Sequence, residues 1–324
     1  MTDGLISAPQ RKTLQAAWSS YLDVVESLRP ELHRYCRRIT GNVWDAEDLV
    51  QDSLLRGFGS IGRRDDQRVG CTQPGDIGNP RAYLFRIATN LWVDSMRRAE
   101  LDRRQSDVPP PQAQVPEVDA TREAASMLIE RTSPQARAAV VLKDIFDFTL
   151  EEIADMLTTS VGAIKSALHR GRADLEKPLP QRGRNRNLRR PSRDLVDTFV
   201  EAFNARDIAR VTALLLEQVS IEVQGVGGER GRDANWVRFS MLGYRGDRED
   251  IHWVECRMFE AETIVLHLRQ DGSRQVLEEV WRMDEEDGKI ARIRDYCYCP
   301  ETLREIAKEF GLDVVTHGYR NPEK

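Results

Sequence analysis

Long apolar runs are missing from this 324-residue chain. A helix that crosses a bilayer needs about 20 consecutive apolar residues. Here charge breaks every run, at 31% charged and 40% hydrophobic overall. The first residues, MTDGLISAPQRK, also lack the apolar stretch of a secretory signal. A cytoplasmic location without a membrane partner is expected. Cysteine is scarce: Cys36, Cys71, Cys256, Cys297 and Cys299 are all there is. An odd count without a C-x-x-C pair argues against a disulfide framework and against a zinc site. No metal and no cofactor are expected. Cys297 and Cys299 are the only close pair. Alternation on a strand would put both on one face, and the plain reading is two small apolar side chains near a core. A positive total charge is missing too: the sum is −5. Affinity for nucleic acid rests on neutralised phosphates, so it needs local basicity. The cations do cluster, at Arg63, Arg64 and Arg68, at Arg97, Arg98, Arg103 and Arg104, and over residues 165–193. An acidic chain with basic patches fits a protein carried to DNA by a larger partner.

Residues 149–176 carry the densest signal. Thr149 with Glu152 forms a capping box. Leu150, Ile153, Ala154 and Leu157 recur at helical spacing. Thr158, Thr159 and Ser160 break the pattern and offer a new N-cap. A second helix follows, with Val161, Ile164, Leu168 and Leu175 inside. A short helix, a tight turn and a longer helix make a helix-turn-helix. On the second helix Ser166, Arg170 and Ala173 point away from the apolar stripe, and Lys165, His169 and Arg172 flank them. Such a face suits the major groove, its centre reaching base edges and its flanks holding phosphates. The bland alternative is a solvated face with ordinary Arg content.

With the preceding SPQARAAVVLKDIFDF (Ser133–Phe148), this stretch resembles region four of bacterial extracytoplasmic-function (ECF) sigma factors. The resemblance implies docking of the second helix on the minus-thirty-five promoter element, with Lys165, Ser166, His169, Arg170 and Arg172 as DNA contacts. Upstream, PELHRYCRRITG and VWDAEDLVQDSLLRGFGSI read as two helices. Gly41-Asn42 closes the first, and Asp45 is expected to cap the second. Ala46, Leu49, Val50 and Leu54 should face inward, and Asp48, Gln51, Asp52 and Leu55 outward. An exposed Leu among acids is a plausible docking spot, because burying it contributes about 1.5–3 kcal/mol. DAEDLVQDSLLRGF is similar to region two of ECF sigma factors. That likeness implies a grip on the large-subunit clamp of core RNA polymerase through Asp48, Gln51, Asp52, Leu55 and Arg56.

Asn79-Pro80 starts another helix. Leu84, Ile87, Ala88 and Leu91 are expected inside, with Arg86, Asn90 and Arg97 opposite and Tyr83 and Asp94 beside them. Phe85 and Trp92 read as core. The helix resembles the one that melts and reads the minus-ten element, which implies Arg86, Asn90 and Arg97 as DNA contacts. The flipped-base pocket would then lie in the loop over residues 62–80. The run Pro109-Pro110-Pro111 marks a linker.

From Ser192 the pattern changes. Two helices, a strand, a helix around Asn235–Leu242 and then a run of antiparallel strands imply an α+β domain with a curved sheet over helices. The order, with FVEAFNARD at its start, resembles the nuclear-transport-factor-two-like (NTF2-like) cone of the SnoaL-like branch. Some ECF sigma factors carry such a domain in place of a separate anti-sigma protein. A general base in such a cone would be Asp, Glu or His. His252, His267, Glu279 and Asp295 are candidates, with Trp236, Trp253, Trp281 and Tyr296 as walls, and no spacing singles out a pair. No residue is assigned a catalytic role. A tail helix follows Pro300, with Leu303, Ile306, Ala307 and Phe310 as its stripe, free to pack on the cone or on region two.

The expected fold class is therefore multidomain: two all-α sigma domains, the second a helix-turn-helix, then an α+β NTF2-like/SnoaL-like cone. The expected boundaries are region two at 20–100, a linker at 101–122, region four at 123–178, an Arg-rich tether at 179–191, the cone at 192–300 and a helical tail at 301–324. The partners are core RNA polymerase and promoter DNA, with a small-molecule ligand of the cone as an open question. The competing functions are a ligand-responsive helix-turn-helix regulator and a SnoaL-like enzyme fused to a DNA-binding module.

Overall fold

A computed structural model describes residues 20–61, 79–105, 132–175, 191–232 and 252–319. The expected base pocket in the 62–80 loop, most of the linker and tether, the helix at 235–242, Trp236 and Cys71 lie outside the described residues. The chain divides into two units, Met1–Asn185 and Arg186–Lys324.

The first unit is helical. After a helical lead-in over residues 20–25 come α1 (Arg29–Thr40), α2 (Val43–Ile61), α3 (Pro80–Gln105), α4 (Pro134–Asp144), α5 (Leu150–Met156) and α6 (Val161–Leu175). Gly41 ends α1 in the left-handed region, at φ 83°, where a Cβ would be strained. Asn42, not Asp45, caps α2: its Oδ1 accepts the Asp45 N–H at 2.8 Å, and its Nδ2 donates to the Asp45 carboxylate. The helix therefore starts three residues earlier than an Asp45 cap would give. The helix α3 runs past the expected boundary at 100, so the first residues assigned to the linker are helical. Its buried stripe holds Leu84, Phe85, Ala88, Thr89, Trp92 and Val93, whereas Ile87 and Leu91 are only half-buried. The shift has a cause. The helices α1, α2, α4 and α5 all pack on α3, so the covered face is wider than an amphipathic stripe.

One hydrophobic core accordingly runs through all six helices, from Tyr35 and Ile39 through Phe85 and Trp92 to Phe146, Phe148 and Ile164. Two arginines pin it. The Arg81 guanidinium reaches Glu31 twice through Nε at 3.0 Å, donates to the Phe146 carbonyl at 2.9 Å and lies 4.1 Å over the Phe148 ring. The buried Arg137 donates to the Ile39 carbonyl at 2.8 Å and sits 5.1 Å over Trp92. Each guanidinium satisfies a carbonyl that α1 or the turn after α4 would otherwise leave open.

The second unit opens with α7 (Arg193–Asn204), capped by Ser192 as expected, and α8 (Ile208–Leu214). Strands β1 (Leu215–Val223), β2 (Gly227–Arg230), β3 (His252–Phe259), β4 (Glu262–Asp271), β5 (Arg274–Glu286), β6 (Lys289–Asp295) and β7 (Asp313–Val314) form one sheet, with α9 (Pro300–Phe310) before β7. The order is β2-β1-β6-β5-β4-β3. From β3 to β6 the neighbours are antiparallel, but β1 pairs with β6 in parallel. Strand β2 lies inside the Gly-rich stretch GVGGERG. Cys297 and Cys299 lie in a turn after β6 rather than on a strand, and both are buried. Burial pushes the Cys297 thiol up, and the carboxylates of Asp295 and Glu279 act the same way.

The helix α7 lays Val196, Phe199 and Phe203 on one sheet face against Val254, Val265, Trp281 and Ile293. On the other face Arg282 pairs with Glu262 at 2.5 Å and donates to the Tyr296 hydroxyl at 3.1 Å. The tail packs on its own sheet: α9 meets β5, and β7 pairs with Val276 and Leu277. Leu303, Ile306 and Ala307 are buried there.

Candidate functional site

The recognition helix α6 is held as the sequence demands. Thr149 accepts the Glu152 N–H at 3.1 Å and Glu152 returns a bond to the Thr149 N–H at 2.8 Å. Ser160 accepts the Ala163 N–H at 3.2 Å and starts α6. Ile164, Ala167 and Leu168 are buried. Gly171 sets the closeness of α6 to α4, since a Cβ there would meet a Val140 methyl at 2.9 Å. Lys165, Ser166, His169, Arg170 and Arg172 are all exposed.

Three of the four cations gather on one side of the face. At 100° per residue, Lys165, His169 and Arg172 fall within about 60° of one another, on the side toward α4. The opposite flank carries Arg170 and Ala163, both exposed. The cationic side borders a hollow of about 430 Å³ lined by Lys143, Leu150, Lys165, Leu168, His169, Arg172 and Ala173. Lys143, in the last turn of α4, donates to the Phe148 carbonyl at 3.2 Å. Arg172 forks onto the Asp144 carboxylate, with Nε to Oδ2 at 3.0 Å. Lys143 and Asp144 carried no sequence signal, because the turn after α4 is what brings them beside α6.

On α2, Leu55 is 58% exposed, Asp52 and Arg56 are exposed and Asp48 is half-buried. Gln51 is a correction. It is buried, and its amide donates to Glu47 at 2.8 Å. Glu47 is itself buried and paired with Arg29 at 2.5 Å. A carboxylate under the helix draws Gln51 inward, which a helical wheel cannot show.

On α3, Asn90 and Arg97 are exposed, and Arg97 lies 3.6 Å from Asp94. Arg86 does not face open solvent alone: its guanidinium meets the Asp155 carboxylate of α5 at 2.9 Å.

In the second unit the four titratable candidates come to one sheet face. The register sets Val254 beside His267 and His267 beside Glu279. It also sets Trp281 beside Asp295, so His252, His267, Glu279, Trp281 and Asp295 share the α7 side. His267 Nδ1 is 3.7 Å from a Glu279 oxygen. The imidazole is fully buried, 4.2 Å from the Trp281 ring and 5.4 Å from that of His252. Burial, then the charges of His252 and Arg206, push His267 well below the usual histidine range. It is therefore neutral at pH 7, despite the carboxylate nearby. Of the expected walls, Trp281 lies on this face. Tyr296 turns to Arg282 on the other, and Trp253 bonds Glu255 there. Among the described residues no group of three or more His, Cys, Asp or Glu is arranged to hold a metal. No described helix is long and apolar enough to cross a membrane.

Two family models match this chain: Sigma-70 region 2 over residues 24–101 and Sigma-70 region 4 over residues 122–175. The ECF RNA polymerase sigma factor SigE of Mycolicibacterium smegmatis is 33% identical over 171 residues, covering 50% of this chain and 62% of that one. SigM of Mycobacterium tuberculosis, also an ECF RNA polymerase sigma factor, is 32% identical over 165 residues, covering 49% of this chain and 77% of that one. The chain belongs to the ECF RNA polymerase sigma factor family. Each of these matches covers about half of this chain. The solved structure of the M. tuberculosis ECF sigma factor SigJ is 24% identical and covers 86% of this chain and 97% of that one, at a TM-score of 0.30. Within this ECF chain, then, the region-two match ends inside α3 and the region-four match ends with α6.

Proposed function

We propose that the chain binds core RNA polymerase and directs promoter-specific initiation, while the polymerase performs the chemistry. The observation that carries this reading is the pairing of the two family matches with an exposed recognition helix, capped by Ser160 and preceded by a helix closed with a capping box. The polymerase would be gripped at Asp48, Asp52, Leu55 and Arg56, where an apolar side chain stands exposed among charges. Ser166 and Arg170 would read base edges of one promoter element, with Lys165, His169 and Arg172 on phosphates. Asn90, Arg97 and Arg86 would serve the other element.

The two elements named minus-ten and minus-thirty-five lie about 25 base pairs apart, roughly 85 Å at ~3.4 Å per step. Helices that share one packed core do not span that distance. Engagement of both elements therefore requires α1–α3 to part from α4–α6, breaking the Arg81 and Arg137 contacts and the Arg86–Asp155 pair. The second unit would act as a built-in regulator in a cytoplasmic protein. A ligand role for it is favoured by one observation: His267 and Trp281 are buried with polar nitrogens that have no hydrogen-bond partner, a state that costs about 1–3 kcal/mol per group unless water or a ligand fills it. Transcription by core polymerase from a promoter library, with and without this chain, tests the main reading. A repressor would instead bind a duplex operator without polymerase, and an enzyme would turn over small substrates.

A further inference from the structure

We infer that Asp155 stands in for a promoter phosphate inside the first unit: it holds the Arg86 guanidinium of α3, so capture of a minus-ten strand by α3 and release of α5 are one coupled step. The inference rests on the DNA role proposed above for Arg86 and adds its regulation. Arg86 Nη1 donates to Asp155 Oδ2 at 2.9 Å, and the two side chains are 33% and 74% exposed. The other two candidates on α3 are not held from α5: Asn90 is exposed, and Arg97 lies 3.6 Å from Asp94 of its own helix. Arg81 also ties the modules, through the Phe146 carbonyl, but its fork is taken by Glu31. Arg86 is thus the residue where the latch and the promoter surface coincide. Asn90 follows it by four residues on the same side of α3, so a strand lying over Asn90 passes the guanidinium that Asp155 occupies. Competition favours the strand. The carboxylate takes one N–H of a guanidinium that carries five, and a pair this open to water is weak. A phosphate can take the same fork in two parallel bonds. The coupling is reciprocal: whatever the strand contributes to parting the modules, parting contributes to strand affinity. Because α5 leads into α6, capture at one element loosens the module that reads the other.

The test uses the full chain without polymerase and reads fluorescence transfer between α1–α3 and α4–α6. The probe is a single-stranded oligonucleotide carrying the non-template minus-ten sequence of a promoter that the chain uses with core polymerase. In wild type the transfer should fall as the strand saturates. Asp155→Asn should start more open and bind the strand about two- to fivefold tighter, the range that a partly exposed ion pair allows. Arg86→Ala should also start more open, but bind the strand weakly and show no further change. Exchanging the two charges, Arg86→Asp with Asp155→Arg, should reclose the modules relative to either single change and leave them unresponsive to the strand. Misfolding would not restore closure, so the exchange separates the latch from the strand contact. Unchanged transfer at saturation in wild type overturns the inference, as does equal strand affinity in wild type and Asp155→Asn. Strand binding by Arg86→Ala as tight as wild type also overturns it, while promoter recognition by the chain stands. If no variant binds the strand without polymerase although the polymerase-bound chain initiates from that promoter, the inference is again overturned. If that complex initiates from no promoter, the broader functional reading fails instead.

Discussion

The two units use arginine in opposite ways. In the helical unit Arg81, Arg86 and Arg137 reach between α1–α3 and α4–α6, and two of them end on backbone carbonyls. In the second unit Arg282, Arg269 and Arg294 pair with Glu262, Glu278 and Asp284 along the strands of one sheet. Bonds that cross between helices can be broken while each helix survives. The sheet's pairs join strands that the backbone ladder also holds together. The difference suggests a first unit built to part and a second built to stay whole.

Breaking the sheet pair should have the largest effect. Arg282→Met removes the guanidinium that faces the buried Glu262 carboxylate, which should cost about 3–5 kcal/mol. Calorimetry should show the second unit's transition shifted down and the first unit's unchanged. Adding Glu262→Leu should recover much of the loss, since an apolar pair tolerates burial. Arg81→Ala comes next. The lost bonds should cost about 1–3 kcal/mol, and amide exchange around Phe146 and Phe148 should accelerate while the cores of α1 and α2 stay protected. Protection unchanged at those amides would contradict the separable-module picture.

A pH series sharpens the comparison further. His267 has a folded pKa below its unfolded value of ~6.5. Below pH ~6.5 the unfolded chain binds the extra proton, so stability falls by about 1.4 kcal/mol per pH unit until the folded pKa is reached. The second unit should therefore lose stability on mild acidification, and His267→Leu should flatten that slope. A slope as steep in the variant would assign the effect elsewhere. The smallest effect is expected from Asp155→Ala. The Arg86 pair is partly exposed, so stability should change by at most about 1 kcal/mol, but Arg86 is released and opening should rise measurably by fluorescence transfer between the modules.

Local chemistry made the helix-turn-helix legible. Thr149, Glu152 and Ser160 fix their caps within four residues, and the structure forms each bond. The inward set Ala46, Leu49, Val50 and Leu54 was legible for the same reason. What depended on a distant partner was not. Gln51 turns in because Glu47 lies beneath it, and Ile87 and Leu91, expected inside, are only half-buried, whereas Phe85 and Trp92 are core as read. The antiparallel run β3–β6 could be read from its turns, whereas the parallel β1–β6 contact joins strands some 70 residues apart. The gathering of His252, His267, Glu279 and Asp295 follows from strand register, which spacing alone left open. The tail's position was likewise undecided until β7 paired with β5. That placement bears on truncation: a cut at Pro300 uncovers the sheet, so a regulatory test should end the chain after Val315.

The most direct test is run-off transcription with purified core polymerase, comparing wild type with Asp48→Lys/Asp52→Lys. The account predicts transcripts from promoters that core alone ignores, lost in the variant together with core binding while helicity is retained. Equal transcription and equal core binding by the variant, or no transcription by wild type from any template, would contradict it.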